Sequence, residues 1–152
     1  KSRLAGVETM CKIQINRHIN VHGAYNYLYT SKDADGVRLS SSSPHSGNIR
    51  AEYNTRIPRY ATVVNLSGNI MGKKKFDVLD ELEIDGKKVE AYYQAKVNPY
   101  CLWDLTVSQY IMQNLRITAG ITNLFDYTSD RVTFNTSTSP GRNYFIACNY
   151  TL

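Results

Sequence analysis

The 152-residue chain has no apolar run approaching the ~18 residues of a membrane-crossing helix, so any crossing would have to be made by strands. Its three cysteines, Cys11, Cys101 and Cys148, are odd in number and show no CxxC spacing. That argues against a zinc site and against a disulfide framework, and leaves them as small apolar side chains. No G-x-S-x-G motif occurs, and Ser40 to Ser43 read as a polar loop tip rather than a nucleophile elbow, so an enzyme is not expected. The histidines His18, His22 and His45 have no partner at metal-ligand spacing. Asp33 and Asp35, like the acids from Asp80 to Asp85, lack the twelve-residue calcium-loop pattern, and no metal or cofactor is expected. The net charge is +5, yet the only basic triple, Lys73 to Lys75, is followed by Asp77, Asp80, Glu81, Glu83 and Asp85. A short basic run beside an acidic one is a solvated loop, so no nucleic-acid partner is expected.

What the sequence does have is tyrosine, twelve against four Phe and one Trp. This amphipathic ring suits the boundary between apolar and wet surroundings. It also has alternation at a period of two, which places successive side chains on opposite faces of a strand. Near the end, Tyr144, Ile146, Cys148, Tyr150 and Leu152 alternate with Asn143, Ala147, Asn149 and Thr151, with Phe145 as the exception. Earlier, Val21, Tyr25, Tyr27 and Tyr29 alternate with Asn20, His22, Asn26 and Thr30.

The same test yields seven strands, over 4–15, 19–32, 47–56, 60–76, 92–112, 115–127 and 142–152, with helical periodicity in none. Apolar positions include Val7, Cys11, Ile13, Ile49, Ala51, Tyr53, Val64, Leu66, Ile70, Trp103, Leu105, Val107, Ile111, Leu115, Ile117, Ala119 and Ile121. The opposite face carries Glu8, Lys12, Arg50, Glu52, Asn65, Asp104, Thr106, Arg116 and Thr118. Asp104 and Arg116, on adjacent strands and the same face, are expected to form a lumen salt bridge.

The connections alternate in length: short at 16–18, 54–59 and 113–114, long and polar at 33–46, 77–91 and 128–141. A membrane barrel with short periplasmic turns and long extracellular loops has this rhythm. The competing reading is a soluble β-sandwich or barrel binding module whose apolar face is a core. Two features weigh against it. Several segments run well beyond the usual five or six residues of a globular strand. Burying Arg50, Glu52, Asp104 and Arg116 unpaired would also cost several kcal/mol each.

The run Ile121-Thr122-Asn123-Leu124-Phe125-Asp126-Tyr127, followed by Pro140-Gly141-Arg142-Asn143-Tyr144-Phe145, resembles the closing strands of TonB-dependent receptors. Ala5-Gly6-Val7-Glu8, the tyrosine-rich strand 19–32, Asp33-Ala34-Asp35-Gly36 and Pro44-His45-Ser46-Gly47-Asn48 resemble the preceding hairpins of that family, in the same order. The terminal Leu152 departs from the aromatic residue, usually Phe, that commonly ends such barrels.

The resemblance implies an all-β fold: the C-terminal strands, about seven, of an antiparallel transmembrane barrel of roughly 22 strands with a plug in its lumen. Residues 1–152 would then be one C-terminal portion of the barrel, a fragment or processed chain without the plug and the N-terminal strands. The implied location is the bacterial outer membrane. The implied function is active uptake of a ferric siderophore, haem or cobalamin, with no chemistry on the ligand. The implied partners are the rest of the barrel and its plug, the TonB-type energy-coupling complex, outer-membrane lipid and the small-molecule ligand. Ligand contacts are expected from the long loops and upper lumen wall, with His45, Tyr92, Tyr93 and Arg131 as candidates.

Overall fold

The fold is that of a computed structural model describing residues 3–31, 43–84, 87–112, 114–128 and 140–151, the side chains of 76–84 and 87–95 excepted. The described residues form nine strands: β1 (Leu4–Gln14), β2 (Ile19–Thr30), β3 (His45–Asn54), β4 (Thr62–Met71), β5 (Lys74–Ile84), β6 (Lys87–Val97), β7 (Tyr100–Ile111), β8 (Leu115–Thr122) and β9 (Asn143–Tyr150). Seven form one sheet in the order β1-β2-β3-β4-β7-β8-β9, and β5 pairs only with β6. The chain divides into two compact units, residues 1–8, 26–46 and 71–100 in one, and 9–25, 47–70 and 101–152 in the other.

Two of the expected strands are each divided. Residues 60–76 break at Gly72-Lys73 and residues 92–112 break at Asn98-Pro99. A Cβ on Gly72 would lie 2.7 Å from the His45 carbonyl oxygen, to which its N–H donates at 2.8 Å. Only glycine tolerates that approach. Pro99 lacks the N–H a ladder needs. The expected loop 77–91 is instead most of the β5–β6 hairpin, with Val78 opposite Tyr93, Leu79 opposite Tyr92 and Leu82 opposite Val89. The acidic residues mask a period-two pattern in which Phe76, Val78, Leu82 and Ile84 share one parity, interrupted by Asp80, and Asp77, Glu81 and Glu83 share the other with Leu79.

In the unit holding β7, β8 and β9, register confirms the face assignment. Leu115, Ile117, Ala119 and Ile121 stand opposite Tyr150, Cys148, Ile146 and Tyr144. Leu105 and Val107 stand opposite Ile121 and Ala119. Residues directly opposite share a face, so one side is an apolar ladder interrupted at Gln109, which stands opposite Ile117. On the other side Thr106 faces Gly120 and Ser108 faces Thr118, with the last two hydroxyls 2.9 Å apart.

Phe145, the exception to the alternation, belongs to this polar side: its ring occupies the space a Cβ on Gly120 would need. On the apolar side Trp103 likewise lies across Gly68, whose Cβ would meet the indole at 2.9 Å. The apolar ladder's one polar member, Gln109, is satisfied within the sheet by Thr62 Oγ1 donating to its Oε1 at 2.6 Å and by its own amide donating to the Tyr110 carbonyl at 3.0 Å.

This sheet encloses no core of its own. Among the described residues no large side chain is fully buried, while Ile146 is 77% exposed and Tyr25 49%. A soluble sandwich of this length would bury such side chains between two layers. The apolar surface therefore faces hydrocarbon, and the opposite, polar face belongs to a wet lumen.

Candidate ligand-facing wall and its fastening

The unit containing the first turns of β1, the ends of β2 and β3 and the β5–β6 hairpin holds a cleft of about 470 Å³. Its lining includes Gly6, Glu8, Asn26, Leu28, Ser46, Met71 and Lys74. Along β2 exposure itself alternates, with Tyr25, Tyr27 and Tyr29 open and Asn26, Leu28 and Thr30 half-covered. The cleft thus borders Glu8 and Asn26, with Val7 and Tyr27 at its margin. It presents a carboxylate, an amide, a hydroxyl and an ammonium around two apolar side chains. Sequence alternation placed Glu8 and Asn26 on the lumen face, but nothing in it marked Met71 or Lys74 as their neighbours.

His45 stands beside the cleft. Its ring is 5.1 Å from that of Tyr27, inclined at 44°, and its carbonyl accepts from Gly72 and from Ser43 Oγ at 2.7 Å. Tyr27 shares a parity with Tyr25 and Tyr29 and also borders the cleft, so the His45 ring adjoins the cleft through Tyr27 without being among its lining residues. Tyr92 and Tyr93 sit on β6, their backbone opposite Leu79 and Val78. Arg131 lies outside the described residues.

The expected Asp104–Arg116 bridge does not form. Arg116 stands opposite Tyr110, with its guanidinium 5.9 Å from the phenol ring centre, whereas the same register sets Asp104 six residues further along, beside Thr122. At ~3.4 Å per residue the two are roughly 20 Å apart. The register leaves both on the face of Thr106, Ser108 and Thr118. What the alternation could not supply was the offset between the strands.

Asp104 has another role. Its Oδ1 accepts the Asn123 N–H at 2.9 Å, at the point where β8 ends. Asn123 adopts φ 52°, a conformation asparagine tolerates better than most residues, and is only 5% exposed. Its side-chain nitrogen donates to the carbonyls of Tyr127 at 2.7 Å and Pro140 at 3.2 Å, and its Oδ1 accepts from Tyr127 N–H at 2.8 Å. The next residue, Leu124, donates its N–H to the Trp103 carbonyl. Asp126, also at positive φ, accepts the Arg142 N–H on Oδ1 at 2.7 Å. The Asn-Leu-Phe-Asp run and the Pro-Gly-Arg run are therefore two halves of one clasp, fastening the ends of β7 and β8 to the start of β9. The Arg142 guanidinium, hydrogen-bonded to Tyr144, is held above its ordinary pKa range by that bond and stays charged.

Among the described residues no group of three or more His, Cys, Asp or Glu is placed to hold a metal ion.

A wall with one apolar and one polar face, short turns at one rim and a clasped last hairpin is a segment of an outer-membrane barrel. Residues 1–124 match the family model described as "TonB dependent receptor-like, beta-barrel", and the chain belongs to that family, whose members reside in the bacterial outer membrane. No curated protein matches it significantly. Among solved structures, the ferripyoverdine receptor of the outer membrane of Pseudomonas aeruginosa, bound to ferripyoverdine, is similar over 98% of this chain, with a TM-score of 0.75 and 18% identity. A ferric enterobactin receptor mutant from Pseudomonas aeruginosa is similar over 95% of the chain, with a TM-score of 0.74 and 18% identity. At such identity the likeness establishes the fold. The chain spans 19% and 22% of the length of those two proteins, about a fifth.

Proposed function

We propose that this chain is the C-terminal part of the wall of an outer-membrane receptor that imports a scarce ligand by energy-coupled transport, a ferric siderophore ahead of haem or cobalamin. The single observation that carries the reading is the two-faced sheet of β7, β8 and β9, with its apolar ladder on one side and Thr106, Ser108 and Thr118 on the other. The solved receptors of the same fold support the siderophore class, since those proteins bind ferripyoverdine or are named for ferric enterobactin.

In this reading the chain does no chemistry on the ligand. It supplies a hydrocarbon-facing surface, part of a wet passage and part of the entrance, where Tyr92, Tyr93 and Arg131 are the proposed contacts. His45, whose ring leans at 44° on that of Tyr27 beside the cleft, is the fourth proposed contact. The remaining strands and the plug complete the barrel, and the TonB-type complex acts through the plug.

The test is uptake. A strain lacking the receptor, complemented with the whole receptor, is starved of iron and given radiolabelled ferric pyoverdine, ferric enterobactin, haem or cobalamin. Energy-dependent accumulation of one of them is expected. If no ligand accumulates although the barrel is inserted, the transport reading is wrong.

A further inference from the structure

The short-turn rim carries charge that neither the fold nor transport requires. Arg17 lies in the β1–β2 turn and Arg56 and Arg59 in the β3–β4 turn, all exposed, with no Asp or Glu from 15 to 18 or from 54 to 61. A chain of hydrogen bonds joins the two turns. Arg17 Nε donates to His18 Nε2 at 3.0 Å, which fixes Nδ1 as the protonated nitrogen, and that nitrogen donates to the Asn54 carbonyl at 2.8 Å. Asn54 Oδ1 in turn accepts the Arg56 N–H at 2.8 Å. His18 thus holds the two basic turns side by side.

The backbone gives an independent sign. Arg56 has φ 53° and Arg59 φ 70°, both in the left-handed region. Ile57-Pro58-Arg59-Tyr60 closes with the Tyr60 N–H on the Ile57 carbonyl at 3.2 Å, with proline second and the positive φ third. That is the pattern of a type II turn, whose third position favours glycine or asparagine. An arginine held in each strained position indicates that the side chain is needed for something other than the turn. Around the cations, Ile15 is 62% exposed, Ile57 53% and Tyr60 52%. Cations interleaved with apolar and tyrosine side chains are the composition of a surface seated at a lipid headgroup layer.

We propose that Arg17, Arg56 and Arg59 form a docking surface for anionic phospholipid headgroups in the periplasmic leaflet of the outer membrane. The proposal rests on the membrane reading above for its orientation, since short turns mark the periplasmic rim. Phosphate oxygens accept the guanidinium hydrogen bonds, and Ile15, Ile57 and Tyr60 sit against the glycerol and upper acyl region.

The experiment uses the whole receptor in nanodiscs of phosphatidylcholine mixed with phosphatidylglycerol, with retained lipid counted by native mass spectrometry. The native receptor is expected to enrich phosphatidylglycerol, and 1 M salt, which shortens the screening length to about 3 Å, to erase the enrichment. Each arginine removed should lower affinity about fivefold. Arg56→Gly and Arg59→Gly separate folding from charge, because they relax the backbone while removing the cation. Arg17→Lys, Arg56→Lys and Arg59→Lys should retain most of the enrichment. Equal retention of both lipids by an inserted native barrel overturns the proposal, as does unchanged enrichment in the glycine variants. So does protection of the arginines by an acidic periplasmic polypeptide regardless of lipid charge. A receptor that inserts in neither lipid fails the membrane reading instead.

Discussion

Asparagine side chains hold both ends of the sheet, but in different ways. At the short-turn rim, Asn16 Oδ1 accepts the N–H groups of His18 and Ile19 at 2.8 and 2.9 Å, and Asn54 Oδ1 accepts that of Arg56. These are local, solvent-exposed turn bonds between residues two or three apart, each replaceable by water. At the other end Asn123 is buried and joins the neighbouring Tyr127 to two stretches distant in sequence, around Asp104 and Pro140. The same amide is thus a minor convenience in one place and a fastening in the other. The difference lies in burial and in the sequence distance spanned.

The sharpest way to break the comparison is Asn123→Ala in the whole receptor. It would remove the bonds to the Tyr127 N–H and to the Tyr127 and Pro140 carbonyls and place alanine at positive φ. A loss of about 3 kcal/mol in the local opening free energy of β8 and β9 is expected, read by hydrogen exchange of their amides. Asp104→Ala, which leaves only the Asn123 N–H unpaired, should cost about 1–2 kcal/mol by the same measurement. A clasp indifferent to both changes would be no more than another turn.

Gly120→Ala tests the packing beneath the clasp. The added Cβ would collide with the Phe145 ring and touch Thr106 Cγ2 at 3.0 Å. A cost of about 2 kcal/mol is expected, and Phe145→Leu should recover at least half of it in the double variant. Recovery would show that Phe145 breaks the alternation in order to fill the space above a glycine.

The two ends also differ in how far they could be read in advance. Strand positions, faces and the short turns follow from a period of two and from residues within a few positions of one another. Where polar side chains mask that period, as in Phe76 to Ile84, a hairpin was read as a loop. The clasp and the cleft depend on register and on contacts across tens of residues. Asp104 and Arg116 show the limit: they share one face of the sheet, but the offset between their strands sets them six positions apart. Only resemblance singled out Asn123-Leu124-Phe125-Asp126, and the hydrogen bonds to Asp104, Pro140 and Arg142 now give it a physical reason.

The smallest effects belong to the exposed rim. Asn16→Ala should cost about 0.5–1 kcal/mol, because water can take up the His18 and Ile19 N–H groups. Arg59→Gly should act in the opposite direction. It removes a side chain from φ 70° in a turn with proline before it, and a gain of up to about 1 kcal/mol is expected. Glycine's larger entropy in the unfolded chain offsets part of that gain, so the net sign decides the question. A higher urea midpoint for refolding the receptor into neutral vesicles would show that Arg59 is kept at the turn's expense. A lower one would mean that the left-handed backbone there costs arginine little, leaving the two ends equally relaxed.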